Sequence, residues 1–314
     1  MKFGRIISLV LTVVISALFI AGCSSGSENA GVNTDTGKND SSSQASTDNE
    51  AKVPEIKDAS EADVKDPAVS DTNDAESEKS SVPVEYSGEL SFKSDTKDGV
   101  SEDGFKYIIS KGGDYRVRGN CSNRMIYIDA KGEEVELHLE GVTMTSEYGA
   151  LIFVNNAEEV TVSASEGSSN ELSDNRPARS DKKEETEYGN AAVYSKDDLK
   201  FKGRGRLTIN GSYNNGIGCK NDIKIKNINL TVNARNNGIK GNDSVTVESG
   251  NITINAENGN GIKTENTHVS DKGNQKGYVT ILGGVINITS ADDPIDAAYD
   301  LILDSKNATV NTNK

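Results

Sequence analysis

Tryptophan is missing from the 314 residues, histidine occurs twice and cysteine three times. Each shortage narrows what the chain can do. Without tryptophan, stacking against a sugar ring falls to tyrosine, with Tyr194, Tyr213 and Tyr299 as the candidates. His138 sits in an alternating run and His268 in a polar insertion, and neither is near a Ser or Cys arrangement that would build an activated nucleophile. Basic residues are also short, at 34 Lys and Arg against 49 Asp and Glu, for a formal net charge of −15. Phosphate binding needs a concentrated basic surface, so the balance argues against a nucleic-acid partner.

One long apolar run is present, from Ile6 to Ile20, preceded by Lys2 and Arg5 and followed by Ala21-Gly22-Cys23. A basic start, a short apolar stretch and small residues at its end are the marks of a secretion signal. Ile20-Ala21-Gly22-Cys23 resembles the lipobox of bacterial lipoproteins, which implies that residues 1–22 are removed and Cys23 carries the lipid. The expected location is the outer face of a bacterial cell membrane. From Ser24 to Glu85 there are fifteen acidic residues, five lysines, three of the five prolines and no aromatic residue. Such a composition cannot bury enough apolar surface to offset chain entropy, so 23–85 is expected to be a disordered acidic linker. It carries −10 of the net charge and the signal +2, which leaves −7 for residues 86–314. With Cys23 assigned to the anchor, Cys121 and Cys219 could pair. Burial as small hydrophobes is the reading preferred here, because Cys219 lies two residues after Ile217 and points the same way along an extended run.

The folded part repeats a phrase. Asn-Asn-Gly-Ile stands at 214–217 and 236–239, Gly-Asn-Gly-Ile at 259–262 and Asp-Asp-Pro-Ile at 292–295. Between them run short alternations such as Ile223-Lys-Ile-Lys and Ile252-Thr-Ile-Asn. Alternation puts Ile, Val and Leu on one side and Lys, Asn, Thr and Asp on the other. A period of about 22 residues, with like phrases recurring in register, predicts an all-β solenoid, a three-sided parallel β-helix. Asn215, Asn237, Asn260 and Asp293 should stack as one corner row. Less regular runs at Phe105, Met125, Val135 and Leu151 extend the coils back to about Tyr86. Glu166 to Gly189 and Glu265 to Gly277 read as polar insertions, where solenoids often carry binding function.

Glu166-Gly-Ser-Ser-Asn-Glu-Leu-Ser-Asp, Ala191-Ala-Val-Tyr-Ser-Lys-Asp-Asp-Leu, Asn236-Asn-Gly-Ile-Lys-Gly-Asn-Asp-Ser-Val, Lys276-Gly-Tyr-Val-Thr-Ile-Leu-Gly-Gly and Ser290-Ala-Asp-Asp-Pro-Ile-Asp-Ala follow one another in order. Together they resemble the carbohydrate-binding-domain lipoproteins of clostridia and their relatives, over most of 86–314. The resemblance implies a right-handed parallel β-helix shaped like pectate lyases, which binds calcium and polysaccharide such as polygalacturonate or cellulose. Where such proteins read Asp-Asp-Gly-Ile, this chain twice has neutral amides, which lowers the charge available to calcium.

Calcium prefers several oxygen ligands, mostly carboxylate. Asp292, Asp293 and Asp296 form the densest acidic group of the folded part, and Asp243, Asp197 and Asp198 occupy corresponding turns of earlier coils. Each could ligate an ion or simply cap its turn. Lys240 and Lys263 follow the recurring Ile in neighbouring coils, with Lys220 close by. They can meet sugar carboxylates as point charges, or serve as a solvated face that resists aggregation. Nothing in the spacing of Arg204, Arg206 or Arg235 marks a lyase base. The expectation is therefore a monomeric, lipid-anchored polysaccharide-binding protein without enzymatic activity. A calcium-dependent lyase of weak activity and a purely adhesive solenoid are the alternatives.

Overall fold

The computed structural model describes residues 84–179 and 186–314. The signal, the lipidated Cys23 and nearly all of the acidic linker lie outside the described residues.

The described residues form a parallel β-helix of eight coils with three faces. The first face is built from Lys106–Ile109, Met125–Asp129, Ile152–Asn156, Ala191–Ser195, Asn215–Cys219, Ile239–Gly241, Ile262–Lys263 and Ile295–Asp296. In the last six coils the second face begins with Glu159–Ala164 and ends with Asp300–Leu303, while the third begins with Ser169–Asp174 and ends with Ala308–Asn313. In the first two coils, Gly113–Ser122 and Glu134–Ser146 run through both of these faces without a break. Gly141, at a φ of 85°, takes the bend in the second of them, a conformation an L side chain resists.

Each coil stacks on the next in register, which is what the repeated phrase requires. Ile217 pairs with Ile239, Ile239 with Ile262 and Ile262 with Ile295. The first three are fully buried and share the core with Val232, Ile254 and Ile288 of the third face. Full burial of one such side chain contributes about 1.5–3 kcal/mol. The glycine before each Ile is fixed by packing: a Cβ at Gly216, Gly238 or Gly261 would come within 2.2–2.3 Å of Val232, Ile254 or Ile288.

The asparagine row forms as expected. Asn237 donates its backbone N–H and its Nδ2–H to Asn215 Oδ1 at 3.2 and 3.0 Å, and Asn260 repeats both bonds to Asn237 Oδ1 at 3.0 and 3.3 Å. Asp293 ends the row by donating its backbone N–H to Asn260 Oδ1 at 2.9 Å. All three asparagines are buried.

Two expectations need correction. Residues before Lys106 add no parallel coil: Ser87–Ser94 runs antiparallel to Gly113–Ser122, and Val100–Asp103 antiparallel to Lys106–Ile109. They cap the N-terminal end, tied by the Leu90 N–H donating to the Tyr107 hydroxyl at 2.9 Å. The span from Glu166 is not all insertion, since Ser169–Asp174 is a third-face strand. Its register places Asn170 against Leu207, in a core row. The buried Asn170 Oδ1 accepts from Gly141 N and Val142 N at 2.9 Å each, and its Nδ2 donates to Ser168 Oγ and the Arg206 carbonyl. A polar residue that satisfies the bent neighbouring strand hides the strand from an apolar count. Cys121 and Cys219 are free and buried, in line with the reading preferred from sequence.

Asn237→Ala keeps the backbone bond to Asn215 but removes the Nδ2 bond to it and both bonds that Asn260 donates, leaving buried groups unsatisfied, whereas Asn255→Ala touches a solvent-facing position. We expect the first to lower unfolding free energy by about 2–3 kcal/mol and the second by less than about 1. Urea unfolding of the two variants provides the check, and equal losses would show that the buried row does not hold the corner.

Candidate functional site

The outward row of the first face changes character along the solenoid. Register places Tyr127, Phe153, Tyr194, Gly218, Lys240, Lys263 and Asp296 on successive coils. Its aromatic end is covered: Phe153 and Tyr194 are buried, and Tyr188 packs edge-on to Phe105 at 5.5 Å. Gly218 follows Tyr194, and the missing side chain opens a groove of about 430 Å³ across the first face and the corner that follows it. Four lysines, Lys196, Lys220, Lys240 and Lys276, line it against two carboxylates, Asp243 and Glu265. The groove is thus locally positive on a protein that is acidic overall.

Both carboxylates are committed. Glu265 pairs with Lys240 at 2.8 Å. Asp243 Oδ2 pairs with Lys276 at 2.5 Å, and its Oδ1 accepts from Asn266 Nδ2 at 2.7 Å and Asn242 Nδ2 at 3.2 Å. The hydrogen bond that Lys276 donates to Asp243 raises the lysine's pKa. This network pins both ends of the 265–277 insertion to the coil, because Gly277 also donates its backbone N–H to the Asp243 carbonyl at 2.6 Å.

The residues expected to hold a cation are spread over separate corners. Asp296 is bonded to Lys263, Asp293 lies 3.6 Å from Lys314, and Asp292 is exposed. Asp197 caps a turn by accepting from Ala157 N at 3.0 Å. Asp198 accepts from Asp222 N at 3.3 Å, and burial raises its pKa. Among the described residues, one group of three brings its donor atoms within 4.8 Å of one another: Asp114, Glu136 and His138. It stands on the second face near the capped end. The expected donors Asp292, Asp293 and Asp296 therefore do not fit a preformed calcium cage: lysines hold two of the three, and they do not converge. Sequence reasoning grouped them by spacing, but the chain bends through 291–294 and is strand only at Ile295–Asp296, and the carboxylates turn to different partners.

Of the expected sugar contacts, Lys220 and Lys240 line the groove, and Lys263 is stacked on Lys240 in the next coil. Tyr213 does not line it: the Arg176 guanidinium lies 4.0 Å from its ring centre. Tyr299 is half exposed on the last coil and stands edge-on to Tyr278 at 5.0 Å. Sequence reasoning missed the ion pair beside Tyr213. Arg176 donates from Nε and Nη2 to the two oxygens of the fully buried Asp174, at 2.8 and 2.6 Å, and from Nη1 to the Gly189 carbonyl at 2.8 Å. The pair ties the two ends of the 175–190 insertion together. Two residues of opposite charge two positions apart gave the only hint.

These features define a parallel β-helix that offers open clefts on its outside. A family model described as a carbohydrate-binding domain-containing protein matches residues 103–314. A carbohydrate-binding domain-containing protein of Acetivibrio thermocellus is 41% identical over 219 residues, covering 69% of this chain and 74% of the relative. The chain belongs to this family of carbohydrate-binding domain-containing proteins. Among solved structures, a gadolinium derivative of a polysaccharide lyase-like protein from C. thermocellum superimposes with a TM-score of 0.57 at 34% identity, covering 70% of this chain and 92% of that one.

Because lysines hold Asp293 and Asp296, substituting both by Ala should leave any calcium-dependent rise in melting temperature unchanged. Thermal unfolding with calcium and with chelator measures this. A rise seen only in the unaltered protein would show that the cation draws these carboxylates together.

Proposed function

We propose that the protein binds an acidic, pectin-like polysaccharide in the lysine groove, non-catalytically and at the bacterial cell surface. The observation that carries the reading is the positive groove on an acidic molecule that belongs to a carbohydrate-binding family. Lys220 and Lys240 meet sugar carboxylates at its mouth, Lys240 exchanging Glu265 for the sugar, while Lys263 is already neutralised by Asp296. Ammonium groups act here as point charges with rotatable donors, which suits carboxylates spaced along a flexible chain. The state of the two groove carboxylates argues against hydrolysis. Glycoside hydrolysis needs one carboxyl free as acid and one as base, and Asp243 and Glu265 are each held by a lysine. The same reading has Cys23 lipidated and residues 23–85 acting as the spacer between membrane and solenoid.

Lys220→Ala combined with Lys240→Ala should weaken retention on polygalacturonate about tenfold or more, with the unaltered protein losing affinity as salt rises. Affinity electrophoresis in polygalacturonate gels measures both, and retention should persist with chelator present. Ultraviolet absorbance from unsaturated uronate should stay flat during incubation; its appearance would make the protein a lyase. Retention unaffected by the double substitution would move the site elsewhere.

Cys23→Ala should shift the protein from the membrane fraction to the medium. Labelling with a radioactive fatty acid followed by fractionation tests this, and an unlabelled wild-type protein would remove the anchor from the proposal.

A further inference from the structure

Like charges set side by side on adjacent strands repel, so each such pair calls for an opposite charge nearby. On the second face lysines meet glutamates: Lys200 pairs with Glu159 and Lys226 with Glu248. One acidic pair is answered less fully. Parallel pairing sets Asp114 of Gly113–Ser122 directly beside Glu136 of Glu134–Ser146. Lys202 holds Oε2 of Glu136 at 2.8 Å. The other oxygen, Oε1, faces His138 Nδ1 at 3.5 Å, and Asp114 Oδ1 lies 3.8 Å from His138 Nε2. Both separations are longer than an N–H···O hydrogen bond. Arg116, the strand partner of His138, is taken by Glu140 at 2.6 Å. Among the described residues, the imidazole is thus the ion-pair contact of Asp114.

His138 stands two residues beyond Glu136 on one strand, so both project from the same side, and the sheet fixes them relative to Asp114. One donor atom from each of the three lies within 4.8 Å of the other two. Donors bound to one zinc ion at about 2.0–2.2 Å stand roughly 3.3 Å apart. The contraction needed falls on Asp114, whose side chain is 76% exposed and free to turn, while Glu136 and His138 are 20% and 24% exposed. A cleft of about 200 Å³ opens beside Asp114 and His138, lined also by Lys93, Ser94, Asp95 and Thr96 at the end of the capping strand Ser87–Ser94 and just after it. Asp95 is exposed there, which puts a further carboxylate on the open side of the cluster. An imidazole among carboxylates suits borderline ions such as zinc, whereas calcium and magnesium take oxygen donors throughout.

We propose that Asp114, Glu136 and His138 bind a divalent transition-metal ion of the zinc class, with Asp95 and water filling the rest of its shell. The ion compensates the paired carboxylates and ties the capping segment to the first two coils. The site shares no residue with the lysine groove and does not depend on polysaccharide binding.

Calorimetric titration of the full chain with zinc chloride tests the proposal, with calcium chloride in a parallel titration. The unaltered protein should show one saturable zinc site that His138→Ala and Asp114→Asn each weaken about tenfold or more. Zinc should raise the melting temperature of the unaltered protein and of neither variant, while retention on polygalacturonate stays the same in all three. Cobalt(II) provides a spectroscopic check: its visible absorption band should appear with the unaltered protein and be lost in His138→Ala. Three results would overturn the proposal: no saturable zinc binding, zinc binding equal in the unaltered protein and both variants, which would place the ion elsewhere, for instance on the acidic linker, or calcium binding at these residues as tightly as zinc.

Discussion

Everything in this molecule depends on each coil lying on the next in register. Parallel strands about 4.8 Å apart put every residue on top of its counterpart, so a position must tolerate its own repetition. Ile on Ile does so by packing, and Asn on Asn by an amide chain in which each oxygen accepts from the next rung. Lysine on lysine does not, since stacked like charges repel. The structure neutralises those rows with carboxylates from neighbouring coils and from the 265–277 insertion. Lys240 and Lys263 each turn to a carboxylate, Glu265 and Asp296, and on the second face Lys200, Lys202 and Lys226 turn to Glu159, Glu136 and Glu248. A surface of paired rows follows from the stacking rule, and so do open grooves wherever a row is interrupted by Gly or Ala.

The insertions break the register and need separate anchoring. Both are fixed by ionic groups that sequence spacing does not connect. Asp174 and Arg176 clamp one, with Asp174 fully buried, and Asp243, Lys276 and Asn266 clamp the other. Removing one partner of a buried pair costs about 3–5 kcal/mol, because the remaining charge is stranded. The 265–277 insertion thereby becomes a fixed wall of the lysine groove, and the start of the 175–190 insertion lines a second groove of about 800 Å³ on the third face. The departures from the repeat shape the clefts while the repeat itself supplies their floors.

The core and the corner row were legible in the sequence because their periods, two along a strand and about 22 between coils, survive translation into space. Ile217, Ile239, Ile262 and the asparagines beside them could be placed from the phrase alone, as could the stacking of Lys240 on Lys263. Asn170 could not, because it fills a core position with a polar side chain whose partners, Gly141 and Arg206, come from other coils. The partners of the acidic group at 292–296 were hidden for the opposite reason. Its members are neighbours in sequence, yet Asp296 turns to Lys263, 33 residues away, and Asp293 toward Lys314.

By itself the sequence determined the architecture: an all-β solenoid with apolar rows inside, amide rows at the corners and a polar exterior, since these depend only on periodicity and on what can stack upon itself. It also determined which residue types each face displays. Only the tertiary structure decided which charges are available and which are spent, and where Gly218 opens a positive groove. Those outcomes rest on lateral contacts between coils and insertions. The directions of such contacts are set by turns and bends, and no spacing along the chain records them.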